Sequence, residues 1–334
     1  MAEGTVWQLL DSRGIGGIET HVCTLAEGLL AAGVPVEVVL MQAYGDHPMR
    51  DRLERSGIGL SSIDGGLPAL VRRMRADRPA IVHTHGYKGG ILGRIAARLT
   101  GVPVVSTFHA GEPGTGMLRV YTTLDRWTSV LAPRIAVSPA IAATLPGLKH
   151  LVGNFVTVPV DELPPARPRT VAFVGRLSHE KGPDIFARLA EAFPGERFIV
   201  FGDGPMRPDI ENAPLEMRGL VRDMGPHWPE IGLLCMPSRH EGLPLASLEA
   251  MARGIPVGAF GVGALPDLIR DGENGWVAPS GDEARLKAGI AAWLALDDDG
   301  RRRVGAAARE TVRAGYDRDV AVRRLREIYA AAAA

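Results

Sequence analysis

The chain has 334 residues, 46% of them apolar and 23% charged, a globular composition with length enough for two cores of ordinary size. Lys plus Arg and Asp plus Glu number 38 each, so no net field draws the protein toward nucleic acid or acidic lipid. Cys23 and Cys235 stand far apart in apolar company, and the first residues lack the basic-then-apolar pattern of a secretion signal, so a reduced, cytoplasmic protein is expected. No run approaches the roughly eighteen apolar residues of a membrane span. Any membrane contact is therefore expected to be peripheral, at the inner face.

Taken in order, residues 5–10 read as a buried strand that enters the glycine-rich turn Gly14-Ile15-Gly16-Gly17. A helix follows with Val22, Leu25, Leu29 and Leu30 on one face, then a strand over 34–40, completing a βαβ unit. Ile81-Val82 begins a strand that ends in His83-Thr84-His85-Gly86. A helix over 89–99 and a strand over 102–108 follow, the latter ending at His109. Residues 134–137 form another strand, and Ser138-Pro139 open the next helix as cap and first residue. The prolines 159, 164, 165 and 168 mark 156–169 as an interdomain linker. A second α/β alternation starts with a strand over 170–174 and a loop carrying Arg176 and Lys181. The strand over 197–201 ends in Gly202-Asp203-Gly204-Pro205, and strands over 231–236 and 255–260 flank a helix begun near Pro244. Helices rich in Ala and Arg finish the chain, broken at Gly315-Tyr316-Asp317.

Two doubly wound parallel sheets are thus expected, residues 1–160 and 161–316, and in such folds ligands bind beyond the carboxyl ends of the strands. Gly16-Gly17, His83 and His85, His109, Arg176 with Lys181, and Glu241 all fall there, which points to a cleft shared by the two halves. In His240-Glu241-Gly242-Leu243-Pro244-Leu245, Pro244 is expected at the first helical position. The free first-turn N–H groups of that helix favour a phosphate. Glu249 lies inside the helix and Glu241 ahead of it; an ordinary amphipathic helix with one exposed Glu would look the same. Arg176 and Lys181 suit a diphosphate, the first as a planar fork and the second as a compact charge, although a solvated basic loop is the plainer alternative.

Gly16 and Gly17 would let the backbone approach a ligand closely. A dinucleotide fingerprint fails, because position 19 is Glu where glycine is required, and Glu37 only loosely matches the ribose-binding acid. His83 and His85 share one face of a strand, as metal ligands would, but no Asp or Cys stands at ligand spacing, so no metal is expected. Arg72, Arg73, Arg75 and Arg78 run beside Leu67, Leu70, Val71 and Met74. That run reads as a solvated helix face, with docking on a membrane surface the sharper alternative.

Together these motifs resemble those of the retaining GT-B glycosyltransferases of family 4. The resemblance rests on "GGIETHV" at 16–22, "STFHAG" at 106–111, "VGRLSHEKG" at 174–182, "GDGP" at 202–205 and "HEGLPLASLEAMARGIPV" at 240–257. It implies an α/β fold of two Rossmann-like domains facing a central cleft, with the last helix, 317–334, crossing back onto the first domain. It implies transfer of a sugar from a nucleoside diphosphate donor, a UDP-sugar by family frequency, to a hydroxyl acceptor without a metal or other cofactor. Polysaccharide, glycolipid or secondary-metabolite glycoside synthesis would all fit.

By the same resemblance Arg176 and Lys181 hold the diphosphate, Glu249 the ribose, and Glu241 the transferred sugar with Gly242, Leu243 and Leu245 nearby. Gly16, Gly17, Gly202 and Gly204 complete the donor site, and His109 corresponds to a cleft histidine close to the sugar, in the catalytic set with Glu241, Arg176 and Lys181. His21, His85, Tyr87, Lys88 and Glu112 are the acceptor-side candidates, the acceptor being lipid-linked or a small molecule. Many members carry Gly where Pro244 stands, which removes one backbone donor. A nucleotide-sugar 2-epimerase of this fold and a non-catalytic nucleotide-sugar binder are the rival readings.

Overall fold

Near-continuous apolar runs such as Val6–Leu10 are what a strand needs when both faces of its sheet are covered, and every residue of that strand is buried. A computed structural model describes residues 4–14, 16–109, 116–147, 149–161, 168–221 and 223–334. In its first unit the strands are β1 (Val6–Leu10), β2 (Val36–Leu40), β3 (Gly59–Ser62), β4 (Ile81–His85), β5 (Val104–Phe108), β6 (Arg134–Ala136) and β7 (Lys149–Leu151). They form one parallel sheet in the order β3-β2-β1-β4-β5-β6-β7. The intervening helices are α1 (Gly17–Ala31), α2 (Arg50–Arg55), α3 (Gly66–Asp77), α4 (Tyr87–Thr100), α5 (Met117–Thr128) and α6 (Pro139–Thr144).

The second unit repeats the plan. Its strands β8 (Thr170–Val174), β9 (Arg197–Phe201), β10 (Glu216–Gly219), β11 (Leu233–Met236), β12 (Val257–Phe260) and β13 (Gly275–Ala278) are ordered β10-β9-β8-β11-β12-β13, again all parallel. Its helices are α7 (Pro183–Glu191), α8 (Arg207–Ile210), α9 (Leu245–Ala252), α10 (Leu265–Leu268), α11 (Glu283–Ala295) and α12 (Asp298–Gly315). In each sheet the strand order reverses beside the first strand, between β1 and β4 and between β8 and β11. That reversal is the topological switch point where α/β folds bind ligands.

The last helix, α13 (Arg318–Ala333), belongs to the first unit, which comprises the chain to Phe155 together with Arg318–Ala334; Val156–Asp317 make the second. The divisions fall a few residues from the expected 160/161 and 316/317. The start of the expected linker is part of the second unit: Val156 is buried and its N–H bonds to the Tyr316 carbonyl at 3.0 Å. Val322, Leu325, Ile328 and Tyr329 of α13 join the core of Val22, Leu25 and Leu29 from α1. Gly28 makes that crossing possible, since a Cβ there would stand 2.7 Å from Val322 Cγ2.

The short edge strands β3, β7 and β10 have little apolar sequence of their own and are defined by pairing, as with Glu37↔Gly59, while β13 is apolar and buried and pairs through Val257↔Gly275. Among the described residues no helix is long and apolar enough to cross a membrane. The arginine run lies on and just beyond α3, but Arg73 is engaged by Glu37 and Asp77 and stands over Trp7. The exposed apolar surface is elsewhere, on α5 and the turn after it. Met117, Leu118, Val120, Tyr121, Leu124, Trp127, Val130 and Leu131 are all exposed there. The helix is held to α4 by a buried ion pair, with Arg94 Nη2 donating to Asp125 Oδ1 at 2.6 Å.

Candidate active site

At the carboxyl end of β8 the chain turns through Gly175 and Arg176, and that of β9 through Gly202, Asp203 and Gly204. With Val174, Phe201, Leu220, Val221 and Met224 these residues line a cavity of about 450 Å³. The glycines are required by packing. A Cβ on Gly202 would meet the Gly175 carbonyl at 1.8 Å and one on Gly204 the Leu177 carbonyl at 2.5 Å. The two loops can therefore lie flat on each other and leave the hollow beside them. Arg176 is exposed at its edge.

Lys181 ends the next turn and donates from Nζ to Glu241 Oε1 at 2.6 Å; Ser238 Oγ donates to the same oxygen at 2.8 Å. The Glu241 side chain is only 7% exposed, so its charge is met by one cation and one hydroxyl rather than by water. The loops that carry the pair are stitched together. Arg239 makes a two-pronged bridge to Asp184 at 2.8 and 2.7 Å, its N–H donates to the Glu180 carbonyl at 2.8 Å, and its guanidinium donates to the His179 carbonyl at 2.8 Å. The Arg239 bridge holds the Asp184 carboxyl below its ordinary range.

Pro244 is the residue before α9, with extended backbone (φ −70°, ψ 130°), and not its first helical residue. The helix therefore opens on Leu245, and proline costs it no first-turn N–H; Ser247 N–H turns back to the Pro244 carbonyl at 3.2 Å. Glu249 sits half-buried on α9, one turn before Arg253, which donates to the Glu249 carbonyl at 2.9 Å. Leu243 is buried, while Gly242 is exposed and its carbonyl accepts from Ala264 N–H at 2.8 Å.

In the first unit, Gly16 precedes α1 in extended conformation and Gly17 begins the helix. Four imidazoles gather at the carboxyl end of β4. His83 and His85 rings lie 4.2 Å apart, His85 and His109 5.3 Å, and His21 from α1 stands edge-on to His109 at 4.8 Å. His85 Nδ1 and His109 Nε2 are joined at 3.0 Å, and His85 Nε2 donates to Gln8 Oε1 at 2.8 Å. Burial, aided by the neighbouring imidazoles, holds His83, His85 and His109 well below the ordinary histidine pKa, and burial alone takes His21 down to about 4. Burial thus favours the neutral form throughout the cluster. His21, His85 and His109 each present a ring nitrogen within 4.8 Å of the others, and they form the one group among the described residues close enough to hold a metal; His83 is not in it.

Lys88 pairs with Asp11 at 3.2 Å and Tyr87 begins α4. Glu112 lies outside the described residues. Glu37 serves packing: its Oε1 accepts from Ser61 at 2.5 Å and from Arg73 at 3.2 Å. Sequence reasoning missed Ser238, the Arg239–Asp184 bridge, Gln8 and Tyr329. Only Gln8 carried a readable signal, as an amide in the middle of a buried apolar strand that must find a partner.

Residues 15–158 match Glycosyltransferase Family 4, and residues 168–295 match Glycosyl transferases group 1. The chain is 32% identical over 264 residues to the 2-deoxystreptamine glucosyltransferase of Streptomyces kanamyceticus, covering 65% of this chain and 68% of that one. It is 28% identical over 342 residues to the 2-deoxystreptamine N-acetyl-D-glucosaminyltransferase of Streptomyces fradiae, covering 81% of each. The crystal structure of Anabaena HepE in complex with UDP superposes with a TM-score of 0.83 at 18% identity, over 98% of this chain and 100% of that one. With two Rossmann-like domains and these relatives, the chain belongs to the family 4 glycosyltransferases of the GT-B fold.

Proposed function

We propose that this glycosyltransferase moves a sugar from a nucleoside diphosphate sugar, a UDP-sugar, to a hydroxyl acceptor with retention at the anomeric carbon and without a metal. The observation that carries the reading is the Lys181–Glu241 pair with Ser238, fixed where two loops leave the carboxyl ends of β8 and β11. A lysine shared with a carboxylate keeps two N–H donors for a phosphate, and the carboxylate, held in place, has its other oxygen for a sugar hydroxyl. Arg176 stands at the edge of a hollow sized for a nucleoside. The Anabaena HepE structures are of complexes with UDP and with UDP-glucose, which supports uridine as the base.

In the reaction, the anomeric carbon–oxygen bond to the diphosphate breaks while positive charge from Arg176, Lys181 and the first N–H groups of α9 meets the leaving phosphate. The acceptor hydroxyl attacks from the same face, and its proton passes to the departing phosphate oxygen. Glu249 holds the ribose, Glu241 the transferred sugar, with Gly242, Leu243 and Leu245 beside it. Gly16 and Gly17 approach the donor's phosphate and sugar, and His109 meets the sugar. The chain's own cations supply the charge that a metal gives elsewhere, so turnover should survive EDTA.

Among relatives, names specify 2-deoxystreptamine, D-inositol 3-phosphate and phosphatidyl-myo-inositol as substrates. Here the exposed apolar residues of α5 favour a lipid-borne acceptor over a small polar one, with Arg72, Arg75 and Arg78 free to face anionic lipid. Tyr87 and Lys88, half-buried at the start of α4, are the acceptor-side residues, with Glu112; His21 and His85 are buried and cannot reach an acceptor. Sedimentation with anionic liposomes checks this: charge reversal at Arg72 and Arg75 should release the protein, and equal partitioning would remove the membrane reading.

The decisive test is a thermal-shift and turnover panel of nucleoside diphosphate sugars, with the product anomer read by NMR. UDP should raise the melting temperature of the wild type, and much less that of Arg176→Ala/Lys181→Ala. Inversion at the anomeric carbon, or full turnover by the double variant, overturns the assignment. Isomerisation of the sugar without an acceptor would move the reading to an epimerase, and binding without transfer or hydrolysis to a non-catalytic binder.

A further inference from the structure

Behind His109 lies a continuous chain of hydrogen bonds inside the first unit. Thr107 Oγ1 faces His83 Nε2 at 2.6 Å, and His83 Nδ1 faces the Tyr329 hydroxyl at 2.7 Å. Gln8 Nε2 donates to that hydroxyl at 3.4 Å, Gln8 Oε1 accepts from His85 Nε2 at 2.8 Å, and His85 Nδ1 meets His109 Nε2 at 3.0 Å. Strand register makes the chain possible: Gln8 pairs with His83 across β1 and β4, and His85 with Thr107 across β4 and β5, so all four side chains point to one face. Tyr329 comes down onto that face from α13. Gln8, His83, His85, Tyr329 and Thr107 are all buried, so water cannot substitute for a missing partner.

Each neutral imidazole has one donor and one acceptor nitrogen, so fixing one link fixes the next. Because the Gln8 carbonyl accepts from His85 Nε2, His85 Nδ1 carries a lone pair, and His109 must present Nε2–H to it. The other arm agrees. The phenol accepts from the Gln8 amide and so has its proton to donate to His83 Nδ1 at 2.7 Å. His83 then gives Nε2–H to Thr107. The opposite polarity, with the amide turned over, would place all three imidazoles in the Nδ1–H form, which neutral histidine disfavours in water. It would also leave the phenol its longer contact, 3.4 Å, as the one it donates through.

We infer that Gln8, His85 and Tyr329 are positioning residues that lock His109 as the neutral Nε2–H tautomer, leaving its Nδ1 as a bare hydrogen-bond acceptor for a hydroxyl of the reacting sugars. The role given to Nδ1 rests on His109 serving the sugar-transfer reaction proposed above; the tautomer itself does not. His109 is half-buried while the rest of the chain is sealed, so the accessible end of the relay is the imidazole expected to meet substrate. The lock removes a choice: an unlocked imidazole would divide its time between donor and acceptor forms, and only one suits the sugar hydroxyl.

The test is long-range ¹H–¹⁵N correlation of ¹⁵N-histidine-labelled protein at pH 7, with His83, His85 and His109 assigned by single substitutions. All three are expected as Nε2–H tautomers. A wild-type spectrum with His109 in the Nδ1–H form, or as an even mixture, overturns the proposal without any variant. Gln8→Met removes the acceptor facing His85 and should give mixed tautomers at His109. Its kcat should fall about tenfold to a hundredfold, with the donor KM within about twofold. Gln8→Glu keeps an oxygen facing His85 and should restore both the single tautomer and most of kcat. Tyr329→Phe should disturb the His83 signals first. If Gln8→Met keeps the wild-type tautomer, the relay is not what holds it and the proposal fails. A locked tautomer with no effect of Gln8→Met on transfer would instead discard the role given to Nδ1 while the tautomer stands.

Discussion

The two units share a topology and treat charge in opposite ways. The first buries polar groups and keeps them neutral or paired away from water: His21, His83, His85, Gln8, Tyr329 and the Arg94–Asp125 pair, with His109 half-buried beside them. The second holds paired cations and carboxylates beyond the strand ends, Lys181–Glu241 joining two loops and Arg239–Asp184 joining a loop to the start of α7. A site for a diphosphate needs charge that can be redirected to a ligand. A site that meets sugar hydroxyls needs donors and acceptors with fixed orientation, and burial supplies that. One sheet plan therefore supports two kinds of preorganisation, set by which side chains occupy equivalent ends of the strands.

The sharpest way to break the contrast is to unpair the buried charge. Burial pushes Arg94 below and Asp125 above their ordinary pKa ranges, despite each other's presence, so neither ion is comfortable alone. Asp125→Ala is expected to cost about 3–5 kcal/mol of stability, measured by urea unfolding, with loss of protection from hydrogen exchange concentrated on α5. A cost below about 1 kcal/mol would mean that the pair is solvated and that the first unit is not the dry environment described.

Next in size is the second unit's pair, read through activity rather than stability. Lys181→Ala should lower kcat/KM about 10²–10³-fold by removing charge from the leaving phosphate. Lys181→Arg should recover only part, because a planar fork does not reproduce the compact contact with Glu241. In a double-mutant cycle with Glu241→Gln the losses should be strongly non-additive, since the two side chains share one hydrogen bond. Simple additivity would separate their roles.

Acid sharpens the comparison further. In the unfolded chain His21 takes up a proton near pH 6.5, whereas in the fold burial lowers its pKa to about 4. Its contribution is fully present above pH 6.5 and is lost as pH falls toward 4, about 3 kcal/mol from this residue alone. His83, His85 and His109 act in the same direction. In the second unit the lowered groups are carboxylates, Asp184, Glu216 and Glu283 among them, whose contribution is lost only below their ordinary values near pH 4. Hydrogen exchange corrected for intrinsic rates should therefore show the first unit loosening between pH 6.5 and 4.5 while the second holds. Simultaneous loosening would refute the assignment of the buried imidazoles as neutral.

Much of this was readable from residue order. The strand–glycine loop–helix–strand run at 6–40 gave the βαβ unit, and the alternation of His83 and His85 gave a shared face. What those histidines do was hidden, because their partners come from remote chain. Tyr329 is 246 residues from His83, and no local period reports such a contact. The edge strands β3, β7 and β10 were missed for a related reason: a strand with one neighbour and a half-exposed face needs no apolar run. Pro244 was placed one position too far into its helix, because a fixed φ near −65° suits both the residue before a helix and its first residue. The expectation that no metal is needed rested on ligand spacing and on the family resemblance, and spacing in sequence could not see His21 arriving beside His85 and His109 from α1.

The smallest expected effect concerns ion pairs that only look important. Arg197 grips Glu216 with two bonds, 2.6 and 2.8 Å long, and Arg218 and Glu230 extend the group, whereas a single side-chain bond joins Arg94 to Asp125. All four side chains are substantially exposed, so water screens the attraction and side-chain ordering offsets what is left. Arg197→Ala should cost less than about 1 kcal/mol in urea unfolding, and 0.5 M salt should erase most of the difference between variant and wild type. The number of bonds predicts the reverse ranking against Asp125→Ala, and the degree of burial predicts this one. Finding Arg197→Ala the costlier of the two would show that network geometry, and not exclusion of water, decides what a charge contributes in this protein.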